Sequence, residues 1–247
     1  MVMNNLDLRR KMYMRAKVIF MAVVLFVAVF TMGTGAQATP LNQNDWVKIY
    51  DAPGAGTSTG GEFRLFHSTA QSGPFHYDFN TFCLEKNENV SYGVAYEIKG
   101  IGNRAYAGGN DSEILPGDPL DDRTAWLYYQ FVTGGLAASG YNYVYGTGRD
   151  ASANALQLAI WFIEEEITSL GSNVLAQAFL TDANNAVNVN GWMNNNRVFV
   201  LNLVTATGGL AQDMLYAPVP EPATMLLIGT GLVGLAGLGR KKFSKKG

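Results

Sequence analysis

The sequence has few of the residues on which hydrolases, metalloproteins and disulfide-stabilised domains depend. Its 247 residues include one cysteine, Cys83, and two histidines, His67 and His76. A single cysteine cannot form an intramolecular disulfide, and no H-E-x-x-H metal motif is present. We therefore expect no turnover enzyme, no metal site and no cofactor.

Basic residues are scarce in the middle of the chain. Residues 39–217 contain eight lysines and arginines against eighteen aspartates and glutamates, a net charge of about −10, although the whole chain carries −2. Nucleic acid and anionic lipid repel a body this acidic. The composition therefore predicts no nucleic-acid partner.

Long apolar runs occur only near the two ends. At the N-terminus, basic residues between Arg9 and Lys17 precede the apolar stretch 18–30, and Ala36-Gln37-Ala38 follows. This order predicts a secretory signal peptide over residues 1–38, cut after Ala38. A retained anchor is the alternative, but the stretch is shorter than the roughly 20 residues that a membrane helix needs.

The second apolar run, residues 223–239, lies between Pro220-Glu221-Pro222 and a basic tail that begins at Arg240. A helix of this length spans roughly 26 Å, enough for a thin bilayer. Cations at its end stay cytoplasmic, so the preceding body faces outward. The run predicts a C-terminal transmembrane helix in an exported protein, and a plain C-terminal anchor is one interpretation of it.

The order Pro-Glu-Pro, glycine-rich apolar helix and Arg/Lys tail resembles the PEP-CTERM sorting signal of Gram-negative bacteria. The resemblance implies an exosortase-type membrane protease as a partner, which recognises and removes the signal. The protein is then anchored in the inner membrane transiently, through the helix, before it reaches the cell surface or extracellular matrix. The domain organisation expected is a signal peptide (1–38), a body (39–217) and a sorting signal (218–247).

The body has strand patterns on both sides of a helical section. Alternating or β-branched runs predict strands, and a loop is expected over 53–61. Helix capping predicts a helix that begins at Asp121 or Asp122 and ends at Gly134. The strands expected are 46–50, 62–66, 75–84, 90–98, 197–204 and 212–217, and the further helices are 153–170 and 174–181. The fold class is therefore α+β: a sandwich or barrel-like sheet with an inserted helical subdomain, plus the C-terminal transmembrane helix.

Two acidic segments attract attention. Five acidic residues between Asp111 and Asp122 crowd one segment, which is interpreted as a solvated loop because the calcium-binding EF-hand spacing is absent. Glu164, Glu165 and Glu166 are interpreted as the exposed end of the helix over 153–170.

Cys83 and Gln157 are both unusual for their settings. Cys83 is an unpaired thiol in an exported chain, and Gln157 is the one polar residue in the apolar run 155–163. A buried amide without partners costs about 1–3 kcal/mol, so Gln157 needs partners or chemical change. Attack of the Cys83 thiolate on the Gln157 carboxamide gives a thioester and accounts for both. The alternatives for Cys83 are a buried hydrophobic side chain and an intermolecular disulfide. The alternative for Gln157 is a core glutamine that is hydrogen-bonded to backbone.

Phe82-Cys83-Leu84 and the segment from Leu156 to Trp161 resemble the two motifs of bacterial thioester adhesin domains. The resemblance implies a Cys83–Gln157 cross-link that acylates an amine on another surface. Phe82, Ile160 and Trp161 are expected to shield it from water, and His76 is a candidate assisting base. We expect the partner to be an amine- or hydroxyl-bearing surface or matrix polymer. The alternative is a structural or carbohydrate-binding matrix protein that binds without a covalent bond.

Overall fold

Alternating apolar and polar residues build a six-stranded antiparallel sheet. The computed structural model describes residues 40–57, 60–106 and 117–218 of the chain. In the sheet, the spatial order is β3-β2-β1-β4-β7-β8, and every neighbouring pair is antiparallel. The strands are β1 (Trp46–Thr57), β2 (Gly60–Ser68), β3 (His76–Thr81), β4 (Ala95–Gly102), β7 (Phe199–Val204) and β8 (Leu210–Tyr216), while β5 (Arg104–Ala105) and β6 (Asp118–Pro119) form a separate pair.

The two edges of this sheet meet just after β3. Cys83 forms an antiparallel bridge with Met214 of β8. Leu84 N–H donates to the Asp213 carbonyl at 3.1 Å, and Leu215 N–H donates to the Phe82 carbonyl at 3.1 Å. The chain that leaves one edge strand therefore pairs with the other, and Cys83 sits at the junction.

Three α-helices lie between β6 and β7 in the described part of the chain. They are α1 (Asp122–Thr133), α2 (Thr147–Ile163) and α3 (Val174–Asn184), with a 3-10 turn over Gly135–Ser139 and a π-helical turn over Asn185–Val189. Asp121 caps α1 by accepting from Arg123 N–H, and Gly134 ends it in the left-handed conformation. Both ends of α1 and the mixed composition of helices and sheet agree with the sequence-based prediction.

The core consists of two clusters, and residues 82–84, at the junction of the sheet edges, contribute to both. One cluster packs between the strands and includes Val47, Leu65 and Cys83. The other packs the helices against the sheet and includes Phe82 and Leu84. Because side chains alternate along an extended chain, residues 82–84 contribute to both clusters in turn.

Several predicted boundaries are wrong. The loop expected over 53–61 is mostly strand, since β1 runs to Thr57 and pairs with β2 beyond a bulge between Asp51 and Gly56. The strand expected over 90–98 begins only at Ala95, because Val94 N–H closes a turn on the Ser91 carbonyl. The helix Val174–Asn184 extends past the predicted end at 181.

The second helix differs most from its prediction. Instead of 153–170, it begins at Thr147 and ends at Ile163. Glu165 adopts a positive φ of 62°, and the helix ends seven residues before the predicted end at residue 170. Glu164 is consequently buried, at 7% exposure, and the interpretation of residues 164–166 as an exposed helix end is wrong for that residue.

Within residues 40–57, 60–106 and 117–218, no helix is both long and apolar enough to cross a membrane. The predicted signal peptide and nearly all of the predicted C-terminal sorting signal lie outside these residues, and so do positions 111–116 of the acidic loop.

Candidate functional site

The side-chain amide of Gln157 lies against the backbone of Cys83. Gln157 Nε2 donates to the Cys83 carbonyl oxygen at 2.9 Å, and Cys83 N–H donates to Gln157 Oε1 at 3.2 Å. Both residues are 1% exposed. The fold therefore brings two residues 74 positions apart into one dry contact.

The position of Cys83 follows from the junction of the sheet edges. Its backbone is held by the bridge to Met214, and Thr81 Oγ1 donates to the Leu215 carbonyl at 2.6 Å two residues earlier. These contacts fix the strand whose N–H and carbonyl face the Gln157 amide.

The position of Gln157 depends on a buried ion pair two turns earlier in α2. Arg149 donates to Glu62 of β2 through Nε at 2.8 Å and through Nη2 at 2.5 Å. Tyr141 OH also donates to Glu62 at 3.0 Å, and Asn80 Nδ2 donates to the same carboxylate. Glu62 is fully buried, so this network ties the start of α2 to the sheet.

Close packing between Gly60 and α2 forms one side of the site. A Cβ at Gly60 would lie 2.5 Å from Trp161 Cη2 and 3.0 Å from Gln157 Cγ, and the φ of Gly60 is +136°. Only glycine adopts this conformation without strain. Gly60 therefore allows Trp161 and Gln157 to approach the end of β2.

A cavity of about 470 Å³ opens onto Cys83. Its walls combine aromatic and polar side chains, and the residues that line it are Gly60, Phe63, Cys83, Lys86, Glu88, Asn89, Val90, Tyr92, Trp161 and Gln212. Trp161 Nε1 is buried and has no hydrogen-bond partner among the described residues. A small reagent entering this cavity would reach the neighbourhood of the thiol.

Burial and a neighbouring carboxylate keep Cys83 protonated. Burial raises the pKa of its thiol well above the ordinary value, the charge of Glu85 raises it further, and a hydrogen bond from Gln212 lowers it. The Glu85 pKa is itself raised well above normal by burial and by Asp213. Burial also raises the pKa of Asp213 to about 7. The two buried carboxyl groups therefore ionise less readily than ordinary ones, and the charge of Glu85 acts on the thiol.

The carboxyl groups of Glu85 and Asp213 accept hydrogen bonds mainly from backbone N–H groups. Glu85 Oε2 accepts from Asp213 N–H at 2.9 Å, and Asp213 accepts from Tyr106 N–H, from Asn202 Nδ2 and from Leu203 N–H. Glu85 Oε1 is buried without a partner among the described residues. Glu85 therefore has a buried oxygen atom with unused hydrogen-bonding capacity, two residues after Cys83 in the chain.

Of the other residues predicted for the site, only Trp161 lines the cavity with Cys83. Phe82 and Ile160 are fully buried in the helical cluster, where Phe82 packs edge-on against Phe131 with ring centroids 5.0 Å apart. His76 is exposed at the start of β3, opposite His67 of β2, and is not among the residues that line the cavity.

Sequence reasoning missed several residues around the site. Glu85 and Asp213 each stand beside apolar core residues, and such a charged residue at the edge of a buried run was an available signal. No local signal marks Gly60 or Gln212, since glycine and glutamine are common in strands and loops alike. Gly56 to Gly60 matches the G-x-S-x-G spacing of serine hydrolases, but the described residues on either side belong to the antiparallel strands β1 and β2, whereas a nucleophile turn lies between a strand and a helix.

No group of three or more metal-binding side chains occurs within the described residues. Pro220, Glu221, Pro222 and Arg240 of the sorting motif lie outside them.

Comparison with known proteins identifies the C-terminal segment. Residues 218–241 match the PEP-CTERM protein-sorting motif. No curated protein and no solved structure shows significant similarity to the chain. The chain thus carries the motif of an exported protein that an exosortase, a membrane protease, sorts towards the cell surface or the extracellular space.

Proposed function

We propose that this is a cell-surface or matrix protein in which Cys83 and Gln157 form an internal thioester for a single covalent attachment. The observation that carries the proposal is the pair of hydrogen bonds between the Gln157 amide and the Cys83 backbone. They hold the electrophilic carboxamide beside the residue that bears the chain's only thiol. The protein acts as a chemical anchor and does not turn over substrate.

Formation of the thioester balances without an external reagent. The sulfur of Cys83 bonds to the carboxamide carbon of Gln157, the bond from that carbon to nitrogen breaks, and the thiol proton leaves with the nitrogen as ammonia. Because burial raises the thiol pKa, the proton needs an acceptor. Glu85 provides a buried carboxyl group whose raised pKa makes its ionised form a stronger base than an ordinary glutamate.

Attachment is the second step. An amine or hydroxyl of a surface or matrix polymer attacks the thioester carbonyl, the carbon–sulfur bond breaks, and Cys83 takes back a proton. Gln157 is left as an amide or ester of the partner. The cavity beside Cys83 is the route by which the nucleophile enters, and Trp161 and Phe63 in its wall limit the access of water.

The alternative function is a structural or carbohydrate-binding matrix protein with a plain buried Cys83. One observation favours it: the Gln157 amide already has a donor and an acceptor in the Cys83 backbone, which satisfies it without a cross-link. An intermolecular disulfide fits less well than either function, since Cys83 is only 1% exposed.

The mass of the purified chain tests the proposal. We expect the intact protein to weigh one ammonia less than its sequence and to resist thiol alkylation after denaturation. Methylamine should add to Gln157 and release the Cys83 thiol. Cys83→Ala and Gln157→Ala should each restore the full sequence mass.

Gln177→Ala is the matched control, because Gln177 is an exposed glutamine on α3 and should leave the mass loss intact. A wild-type chain of full sequence mass with an alkylatable thiol would refute the thioester. That result would leave the non-covalent function.

A further inference from the structure

Gln212 lies near Cys83 at the junction of the sheet edges. Cys83 pairs with Met214, and Gln212 is two residues before Met214 on β8. The pairing of β8 with β7 shifts by one residue between Ala211 and Met214, so Gln212 lies in a bulge of β8. Gln212 and Cys83 also line the same cavity.

The amide of Gln212 is held in place by one of its two N–H groups. Gln212 Nε2 donates to the Glu85 carbonyl at 2.5 Å, and the residue is 6% exposed. A primary amide has a second N–H on the same nitrogen. With the first N–H engaged by Glu85, the second is available to the sulfur, in agreement with the hydrogen bond from Gln212 that lowers the Cys83 pKa.

We propose that Gln212 is the donor that stabilises the Cys83 sulfur when it carries negative charge. The role rests on the proposed thioester, in which the sulfur is charged twice. It attacks the Gln157 carboxamide as a thiolate, and it departs as a thiolate when the nucleophile takes the acyl group. In the first step the thiol proton ends on ammonia. In the second step a proton from the nucleophile returns to the sulfur.

The surroundings of Cys83 disfavour a negatively charged sulfur, so the thiolate needs a hydrogen-bond donor. Burial and the charge of Glu85 both disfavour a thiolate at this position. Within the described residues, Lys86 is the one basic residue in the cavity wall. A hydrogen bond to a charged group is worth roughly 1.5–3 kcal/mol, which corresponds to a rate effect of about tenfold to a hundredfold.

Two variants of the full chain, purified in detergent, test this role. Gln212→Leu removes the amide, while Gln212→Glu keeps the length of the side chain and removes the N–H donors. We expect both to form the thioester, and to react with methylamine, at least about tenfold more slowly than wild type. Gln177→Leu, on the surface of α3, should match wild type. Wild-type rates in folded Gln212→Glu would overturn the proposal.

A second measurement does not depend on the thioester. In a Gln157→Ala background no cross-link can form, and the Cys83 thiol remains free for alkylation by iodoacetamide. Adding Gln212→Glu should slow alkylation at a given pH by about tenfold, because the thiolate loses its donor. Equal alkylation rates would overturn the role of Gln212. A wild-type chain of full sequence mass would instead refute the proposed function, so the two failures are distinguishable.

Discussion

At Gly60 the backbone lies so close to α2 that a methyl group has no room. Gly60→Ala would place its Cβ 2.5 Å from Trp161, at a φ of +136° that strains any L side chain. We expect the substitution to lower the free energy of unfolding by about 2–4 kcal/mol through overpacking and backbone strain, and to displace Trp161 from the site. Urea unfolding would measure the first effect, and the rate of Cys83 alkylation in a Gln157→Ala background, where the thiol is free, would measure the second.

Gly146→Ala is the matched control for this substitution. Gly146 has a similar φ of +131°, and nothing lies within 4 Å of its Cβ position. Gly146→Ala should show the cost of backbone strain alone, so in the Gln157→Ala background it should leave the rate of Cys83 alkylation unchanged. Equal destabilisation of the two variants would mean that the contact with Trp161 contributes little.

Glu164 makes stability depend on pH. Burial raises its pKa from 4.5 to about 8. The folded state therefore binds this proton more tightly than the unfolded state does. The stabilisation from this difference is fully present below about pH 4.5 and is lost as the pH rises through 8. We expect the wild-type free energy of unfolding to fall by up to a few kcal/mol between pH 5 and about 9, at about 1.4 kcal/mol per pKa unit. Glu164→Gln should not show this fall.

Urea midpoints at several pH values would measure this effect. Glu165→Gln, at the exposed neighbouring position, should keep the wild-type pH dependence. If Glu164→Gln also kept it, another group would be responsible for the titration.

At the scale of elements, the Arg149–Glu62 pair fastens α2 to β2. Both side chains are buried, so Arg149→Met leaves the Glu62 carboxylate without its counter-charge. We expect a loss of about 3–5 kcal/mol in unfolding free energy, the usual cost of breaking a buried ion pair. Denaturant unfolding measures the loss, and a lower yield of thioester should accompany it because the same helix carries Gln157.

Arg123→Met gives the comparison for a more exposed pair. Arg123 and Asp121 are 29% and 30% exposed, and a pair of this kind contributes about 0–1 kcal/mol. A similar cost for Arg149→Met and Arg123→Met would show that the Glu62 network does not anchor the helix.

The elements also differ in how well their limits could be predicted. The ends of α1 were predictable because Asp121 and Gly134 act locally, within one turn of the helix they limit. The end of α2 was not, since Glu165 adopts a left-handed conformation that glutamate does not favour by itself. Tertiary packing that buries Glu164 accompanies this early end.

For the whole molecule, the charge of the body predicts its response to salt. Residues 39–217 carry about −10, and like charges destabilise a compact state. We expect this segment, expressed alone, to unfold in one cooperative transition whose Tm rises by several degrees when NaCl increases from about 0.02 to 0.5 M, because the Debye length falls from tens of ångströms to a few. Thermal unfolding monitored by circular dichroism would measure it.

KCl should reproduce the effect of NaCl at the same ionic strength, since screening does not depend on the cation. A Tm that falls as salt is added would mean that the ion pairs contribute more to stability than the net repulsion costs. Several separate transitions would contradict the division at residues 39 and 217.

The sequence by itself determined the features that depend on local order: the sorting motif, the capped helix α1, the alternating strands, and the oddity of one thiol and one amide in apolar settings. Only the tertiary structure decided that Cys83 lies where the sheet edges meet and that the Gln157 amide contacts its backbone. It also brought Gly60, Glu85 and Gln212 to the same place. The physical reason is that closing a sheet and docking a helix join residues far apart in the chain, and no local pattern records which residues will meet.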